Sequence, residues 1–424
     1  MNAADQAHLL LKQGKAKEAE AAFGAVLESN PDHVEALNVL GLAALREGDI
    51  DKALMLLKHA AEVDGAQALT QLHLGRAHAA AFEFESAEAA YAAALACEPK
   101  LHLARLQLGE LHEKRGDTAR AVMTYARALN DAQTEGRWLN ATTTPPALHT
   151  AVDHAQRFVR ERRVAGFAEL MEPFIRKYGV SALRRVEQAV RIHLHLEQAV
   201  STDPRQTPTF LFFPGIPATP YLDKGLIPEI EELEARTSQI RAELLALLPS
   251  ASGRERVFHS GELEEANLRG LDAPPSWNGY YFFRHGERRE ENCAACPHTA
   301  AALDDLPLAR VPGHGPEVLF SVFSPGTHLL PHCGVTNTRV VGHLPLMIPE
   351  NCALRVGGED HPWREGEVVV FDDTYEHEAW NRSDRTRVVM IFDLWNPFLS
   401  SAERDVLSAL VVAMGEFRAG VEGL

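Results

Sequence analysis

Side chains that could bind a metal or an anion are concentrated in two strand-like segments, residues 320–349 and 366–397. His332 lies in the first segment, where alternation along a regular strand would put it on one face with other polar or small residues. His377 follows an apolar run in the second segment. Two imidazoles from separate strands suit a ferrous iron that must keep positions open for oxygen and a 2-oxo acid. Spacing alone is equally compatible with ordinary half-buried histidines.

Arg387 opens the apolar run Val388–Phe392, ten residues after His377. A cation at the edge of a buried strand costs free energy unless it meets an anion. A dicarboxylate cosubstrate would supply that anion, and a guanidinium can bind a carboxylate through two parallel hydrogen bonds. The position of Arg387 therefore favours an anion-binding site close to the two histidines.

The two segments resemble the aspartyl/asparaginyl β-hydroxylase family of double-stranded β-helix dioxygenases. The resemblance is carried by SPGTHLLPHCGVTN, followed by Arg339 and His343, and then by FDDTYEHEAWN, Arg387 and FDLWNP. Upstream, FFPGIPATPYLD and WNGYYFFRHGERREENCAACPHT are also similar to the family. The similarity extends over about residues 200–400, nearly half of the chain.

The resemblance implies a cofactor and a cosubstrate, Fe(II) and 2-oxoglutarate. His332 and His377 would be the iron ligands. Ser321 and Arg387 would hold the distal carboxylate of 2-oxoglutarate, a charge-assisted contact that suits arginine. His343 would lie near the metal-side end of the cosubstrate.

The resemblance also assigns residues to the substrate side of the site. Arg339 matches a family arginine near the substrate and cosubstrate pocket, and Trp277 would form part of the pocket wall. Animal members of the family have an arginine where this chain has Val341, and that arginine helps to read an acidic or amide substrate. The substrate and the hydroxylated residue are therefore left open.

The position two residues after His332 departs from the wider superfamily. Most related oxygenases use two histidines and a carboxylate from an HxD pair, whereas this chain has Gly334. The resemblance accounts for the glycine, because this particular family has it and water fills the third position. Asp372, Asp373 and Glu378 then need not be ligands.

The CAACP segment contains Cys293 and Cys296, with the CxxC spacing of half a zinc site or a redox pair. The other cysteines, Cys97, Cys333 and Cys352, form no second CxxC. Five cysteines are few and odd in number, so a disulfide framework is a poor interpretation. Ordinary thiols are the simplest alternative.

A period of 34 residues organises the N-terminal part of the chain. Alanines, large residues and glycines each recur at this step, at Ala19, Ala53, Ala87 and Ala121, at Phe23, Leu57, Tyr91 and Tyr125, and at Gly41, Gly75 and Gly109. Small residues let two helices approach while the large residue fills the gap between them. Turns between the paired helices are expected at Gly14, Gly48 and Gly116. The pattern resembles the tetratricopeptide repeat.

A multidomain chain is expected. The 34-residue period predicts an all-α tetratricopeptide solenoid, and the short apolar runs separated by Gly/Pro turns predict an all-β sandwich or barrel after it. The resemblance implies that this mainly β domain is a double-stranded β-helix of the cupin-like jelly-roll type. The solenoid is expected over residues 1–133, and a helical connector over 134–205. The β domain is expected over 206–424, interrupted by a helix at about 228–248 and closed by a C-terminal helix at about 402–417. His193 and His195, in the connector, would point in different directions on a helix and are not expected to bind metal.

Composition narrows the expected partners. The net charge of −17 disfavours nucleic acid and anionic membranes, because both reward a basic surface. No apolar run is long enough to span a bilayer, and the N-terminus lacks the order of a secretory signal, so a cytoplasmic protein is expected. The repeats are expected to recruit a protein or peptide substrate, although they could be only a spacer or a dimerisation arm. The oligomeric state is left open.

The expected function is hydroxylation of an Asp- or Asn-type residue by an Fe(II)- and 2-oxoglutarate-dependent dioxygenase. The substrate would be a protein, a peptide or a carrier-bound amino acid. The alternative is a scaffold whose repeats bind a partner while the β domain is catalytically idle. The presence of His332, His377, Ser321 and Arg387 together argues against an idle domain.

Overall fold

The chain forms two compact units. The computed structural model describes residues 3–248, 255–256, 268–269 and 277–422. One unit contains the chain up to Ala165 together with the residues from Glu416 onward, and the other is Gly166–Gly415. The expected connector, residues 134–205, is divided between the two units.

The first unit begins with four helical hairpins that repeat every 34 residues. Their helices are α1 Ala3–Lys12, α2 Ala16–Ser29, α3 Val34–Glu47, α4 Ile50–Val63, α5 Ala68–Ala80, α6 Phe84–Cys97, α7 His102–Lys114 and α8 Thr118–Thr134. The predicted four-unit repeat is confirmed, and each repeat places its helix-to-helix turn at the same position.

Close approach of the paired helices depends on the repeated glycines. A Cβ atom on Gly75 would lie 2.6 Å from the ring of Tyr91, and one on Gly109 would lie 2.5 Å from the ring of Tyr125. Both tyrosines are almost fully buried. The large residue of each repeat therefore fills the gap that the glycine opens, as the sequence predicts.

The fourth hairpin does not end the core of the first unit. Trp138 and Phe158 pack in one apolar cluster with Tyr125 and Leu129. A segment containing prolines separates α8 from the next helix and ends with a 3-10 turn at Pro146–Leu148. The cluster shows that residues beyond the fourth repeat belong to the same core.

The second unit contains helices around a pair of sheets. Helix α9, His149–Tyr178, and the last helix, α15 Ser401–Glu422, each have residues in both units. The helices between them are α10 Arg184–His193, α11 Glu229–Ala235, α12 Thr237–Leu247, α13 Glu290–Ala295 and α14 Pro297–Asp304. Two 3-10 turns lie at Val180–Leu183 and Lys224–Leu226. The helix expected at 228–248 is two helices that meet at Arg236. The expected C-terminal helix is present. Among the described helices, none combines the length and the apolarity needed to cross a bilayer.

Thirteen described strands build two antiparallel sheets. They are β1 Tyr221–Leu222, β2 Glu255–Arg256, β3 Leu268–Arg269, β4 Trp277–Arg284, β5 Glu287–Arg288, β6 Val318–Phe323, β7 His328–His332, β8 Arg339–Met347, β9 Cys352–Val356, β10 Glu359–His361, β11 Val369–Phe371, β12 His377–Asn381 and β13 Arg387–Trp395. The larger sheet has the order β1-β11-β8-β13-β6-β4-β2, with β5 paired to β4, and the smaller sheet has the order β10-β9-β12-β7-β3. The predicted jelly-roll domain is confirmed.

Alternation along the strands of the larger sheet gives it two different faces. One face contributes Val388, Met390 and Phe392 to a cluster with helices α11 to α14. The other face contributes Val389 to a cluster with residues of the smaller sheet. Arg387 and Val389 have the same parity, so the arginine belongs to the face between the two sheets.

The β domain is expected to begin at residue 206, but its first described strand is β1 at Tyr221–Leu222. The segment before it, residues 206–220, forms isolated bridges at Gln206 and Leu211. Its prolines remove backbone donors that a ladder needs, which explains why regular pairing begins only at β1. The segment is still tied to the sheets, because Asn337 donates to the carbonyl of Phe213 and accepts from its N–H.

Candidate metal and cosubstrate site

His332 and His377 face each other across the smaller sheet. They are paired in the antiparallel register of β7 and β12, and their ring centroids are 4.1 Å apart. A register shift lies between His377 and Ala379. The structure therefore brings together the two residues that the sequence selects as iron ligands.

Each of these imidazoles is oriented by a backbone carbonyl two residues before it. Nδ1 of His332 lies 2.8 Å from the oxygen of Leu330, and Nδ1 of His377 lies 3.0 Å from the oxygen of Tyr375. These contacts favour the tautomer with the proton on Nδ1 and the lone pair on Nε2. Burial lowers the pKa of both rings, that of His377 to about 3, so both are neutral at physiological pH.

Asp373 occupies the space that a side chain at Gly334 would need. A Cβ atom built on Gly334 would lie 2.2 Å from the carboxylate carbon of Asp373. Arg339 approaches the same carboxylate at 3.5 Å, and the other oxygen, Oδ1, is buried without a partner among the described residues. Burial raises the pKa of Asp373 to about 7. The glycine of the HCG motif is thus required by packing against Asp373.

Arg387 is a buried cation that no carboxylate of the described residues neutralises. It is 1% exposed, and its guanidinium lies between the rings of Phe323 and Trp363, 4.2 Å from each centroid. No described carboxylate forms an ion pair with it, and its Nε has no described acceptor. Burial lowers its pKa to about 9, so the group remains charged at neutral pH. A buried unpaired charge of this kind is costly unless a ligand neutralises it.

Ser321 connects Arg387 to the wall of the site. Its fully buried Oγ accepts hydrogen bonds from Nη1 of Arg387 at 3.2 Å and from Nε1 of Trp277 at 2.9 Å. A hydroxyl that accepts twice can still donate its own hydrogen. The structure therefore brings Ser321, Trp277 and Arg387 into one cluster, as expected for a carboxylate-binding pocket.

His343 lies between the aromatic residues of the site. Its ring is 5.0 Å from that of Phe371 and 5.8 Å from that of Trp363. Nδ1 is buried without a described partner. Burial, together with the nearby positive charge of Arg387, holds the pKa of His343 well below its usual range.

Arg339 belongs to an ion-pair network at one end of β8. Its Nη1 donates to Asp393 at 2.7 Å, and its Nη2 approaches Asp373 at 3.5 Å. Asp393 also accepts from the backbone N–H of Glu317. Next to this network Val341 is buried in the apolar cluster between the sheets. A single arginine therefore meets two carboxylates in a position close to the histidine pair.

The remaining sequence candidates lie outside this cluster. Cys293 and Cys296 are buried in the core against the larger sheet, and burial raises the pKa of both thiols, that of Cys296 to about 12. His193 packs against the rings of Phe167 and Phe210. Among the described residues, no group of three or more His, Cys, Asp and Glu side chains is arranged to hold a metal ion. The histidine pair would thus be a two-residue site.

Sequence reasoning missed two residues of the site, Phe323 and Trp363. The aromatic pair that encloses Arg387 comes from β6 and from the loop before β11, and no periodicity connects those segments. Asp373 was considered as a ligand and set aside. The clash at Gly334 is a property of the folded chain alone.

Comparison with known proteins agrees with this geometry. A family model described as aspartyl/asparaginyl beta-hydroxylase matches residues 234–397, and a tetratricopeptide-repeat model matches residues 4–67. The chain is 31% identical to aspartate beta-hydroxylase domain-containing protein 2 of Mus musculus over 243 residues, which are 56% of this chain and 68% of that protein. The chain belongs to the aspartyl/asparaginyl β-hydroxylase family.

Other members of the family differ in length and in their named activity. The chain is 34% identical over 200 residues to the aspartyl/asparaginyl beta-hydroxylase of Homo sapiens, covering 46% of this chain and 25% of that protein. It is 34% identical over 186 residues to the ornithine lipid ester-linked acyl 2-hydroxylase of Rhizobium tropici, covering 43% of this chain and 63% of that protein. The chain thus spans a quarter of the human relative and under two thirds of the bacterial one.

Proposed function

We propose that this chain is an Fe(II)- and 2-oxoglutarate-dependent dioxygenase that hydroxylates an Asp- or Asn-type residue of a protein, peptide or carrier-bound substrate. The observation that carries the proposal is the buried guanidinium of Arg387, which has no described anionic partner in a cluster that also holds a pair of neutral histidines. Membership in a hydroxylase family supports the reaction type.

The donor set fits ferrous iron. His332 and His377 are neutral and present Nε2, because each Nδ1 is engaged with a backbone carbonyl. Imidazole suits iron among other divalent metals, and a two-residue site leaves coordination positions free. These two histidines would hold the metal.

The anion-binding part fits 2-oxoglutarate. Arg387 and Ser321 would bind the distal carboxylate, and His343 would contact the end nearer to the metal. The unpartnered Nε of Arg387 and Nδ1 of His343 are the groups that the bound dianion would satisfy. Such charge-assisted hydrogen bonds are stronger than neutral ones.

Bound iron would supply the activation of oxygen, and 2-oxoglutarate would supply two electrons as it loses CO₂ to give succinate. The protein would contribute orientation, the exclusion of water and fixed charges. Phe323 and Trp363 would keep water from the guanidinium. Arg339 would contact the substrate near the metal, and Trp277 would form part of the pocket wall.

The repeat unit would recruit the macromolecular substrate. Four tetratricopeptide hairpins offer an extended surface of the type that solenoid proteins use for binding. Because this chain has Val341 where animal members of the family have an arginine, Arg339 is the one arginine that the resemblance assigns to the substrate side. We therefore propose that the repeats recruit a protein or peptide substrate.

Turnover of 2-oxoglutarate to succinate, in the presence of Fe(II) and ascorbate, tests the proposal. His332→Ala and His377→Ala should each lose turnover and bound iron while the domain stays folded, because each removes a ligand. His328→Ala is the matched control, since this histidine of the same strand lies 2.7 Å from Glu378 instead of facing His377. Absence of turnover in the wild type, or full activity of both ligand variants, would contradict the proposed enzyme.

A further inference from the structure

The indole N–H of Trp363 has no hydrogen-bond partner in the described part of the chain. The residue is 5% exposed, and its indole Nε1 is buried without an acceptor among the described residues. A buried N–H without an acceptor costs free energy, so native proteins rarely leave one unless a ligand or a water completes it.

The position of this indole links it to the cluster around Arg387. Its ring covers the guanidinium of Arg387 at 4.2 Å and lies 5.8 Å from the ring of His343. Both neighbours also have a buried nitrogen without a described partner, Nε of Arg387 and Nδ1 of His343. Three adjacent side chains, each at least nine-tenths buried, thus have one nitrogen each without a hydrogen-bond partner among the described residues.

The other tryptophan of the cluster shows the contrast. Nε1 of Trp277 is satisfied within the protein, because it donates to Oγ of Ser321. Trp277 therefore helps to set the position of the serine. The indole N–H of Trp363 has no such task among the described residues, although its ring has one as the cover of Arg387.

We infer that Trp363 is a cosubstrate-binding residue, which stacks on Arg387 and donates its indole N–H to an oxygen of the bound dicarboxylate. The inference rests on the proposed function and adds a neutral donor to the pocket of Ser321, Arg387 and His343. The ring and the N–H then have separate roles: the ring holds the guanidinium in place, and the N–H contacts the ligand.

Trp363→Phe separates the two roles, because phenylalanine can stack on the guanidinium and cannot donate. We expect this variant to bind 2-oxoglutarate about tenfold more weakly, as measured by calorimetry on the full-length chain supplied with Fe(II) without oxygen. The matched control is Trp380→Phe. Trp380 is also buried and also stacks on arginine, on Arg382 at 4.5 Å, but it lies outside the cluster.

A second variant guards against loss of folding. Replacement of Trp363 by β-(3-benzothienyl)alanine through codon suppression keeps the size of the bicyclic ring and exchanges only the N–H for sulfur. It should show the same weakening of binding as Trp363→Phe. In the ¹⁵N-labelled wild type, addition of 2-oxoglutarate should move one indole N–H signal, and that signal should be missing from both variants.

The outcomes separate this inference from the proposed function. If the wild type and the Trp380→Phe control bind 2-oxoglutarate and the benzothienyl variant binds it equally well, the N–H is not a ligand donor and the inference is wrong. If the wild type itself does not bind 2-oxoglutarate, the proposed cosubstrate is wrong, and the role of Trp363 is wrong with it.

Discussion

At the scale of single residues, Arg387 gives the strongest physical support for the proposed cosubstrate. Its charge is buried, enclosed by two aromatic rings and hydrogen-bonded to one neutral hydroxyl. Cation–π contacts compensate part of the lost hydration, but they do not replace an anion. The carboxylate of a bound ligand would supply that anion.

Arg387→Ala should raise the 2-oxoglutarate concentration required for half-maximal turnover by more than about tenfold. Truncation of one partner of a buried charge pair costs roughly 2–5 kcal/mol, and each 1.4 kcal/mol is about a factor of ten. Arg387→Lys should restore little, because an ammonium cannot reproduce the planar fork between Phe323 and Trp363. Iron affinity should change little. Normal binding of 2-oxoglutarate to Arg387→Ala by calorimetry would remove the cosubstrate roles of Ser321 and His343 as well.

Glu317 allows a test of the acidic network at the same scale. Burial raises its pKa to about 7, although the backbone N–H of His285 donates to it. Between pH 4.5 and 7 the folded chain would hold a proton that the unfolded chain has lost, so stability falls as pH rises through this window. Relative to Glu317→Gln, the wild type should lose up to about 3 kcal/mol between pH 4.5 and 8.

Denaturant unfolding of the two chains at several pH values measures this difference. The other titrating groups are common to both chains, so their contributions to stability cancel in the difference. Glutamine does not ionise, so the difference that varies with pH comes from Glu317. A difference that is constant with pH would show that Glu317 has an ordinary pKa in the folded chain. A difference that grows in favour of the wild type as pH rises would show that its ionised form is stabilised instead.

The repeat turns show how one element can depart from its own pattern. Gly14, Gly48 and Gly116 have positive φ angles of 75°, 81° and 77° at the turn between the paired helices. The third repeat has Phe82 at the same position, with φ 60° and 78% exposure. A side chain in this left-handed conformation is strained by about 1–2 kcal/mol.

Phe82→Gly should therefore stabilise the first unit by about 1 kcal/mol. Ala81→Gly is the matched control, because Ala81 has φ −80° and gains nothing from glycine. The control should lose about 0.5–1 kcal/mol from the greater freedom of the unfolded chain. Denaturant unfolding followed by helical circular dichroism measures both changes. Equal destabilisation by the two substitutions would show that Phe82 is not strained.

At the scale of the whole molecule, the chain combines a repeat unit and a two-sheet unit with separate cores. All proposed iron and cosubstrate residues lie in the second unit. The chemistry and the recruitment of a macromolecular substrate are thus assigned to different parts of the sequence.

Deletion of residues 1–133 should leave substrate-independent decay of 2-oxoglutarate intact and weaken hydroxylation of the native target. The deletion also removes Tyr125, which packs with Trp138 and Phe158, so a full-length control is needed. Gly75→Val provides it, because a Cβ there would meet the ring of Tyr91 and loosen the repeats. Unchanged kinetics on the native target in both chains would show that the repeat unit is only a spacer.

The sequence by itself determined the repeat unit and the identity of the proposed ligands. A period of 34 residues is a local pattern, and the small and large positions of each hairpin are in contact within a single repeat. The family resemblance could select His332, His377, Ser321 and Arg387 because the motifs that contain them are contiguous stretches of sequence. The all-β class of the second domain also followed from short apolar runs separated by turns, and the family resemblance supplied the jelly-roll type.

Only the tertiary structure decided how these groups meet. The register of β7 and β12 places His332 opposite His377 across 45 residues of chain, and register depends on the whole sheet. The carboxylate of Asp373 fills the space at Gly334, and Trp363 covers Arg387 from a loop. The prolines of residues 206–220 likewise prevented strands that the apolar pattern suggested. Packing between distant segments determines these relations, and no spacing in the sequence encodes it.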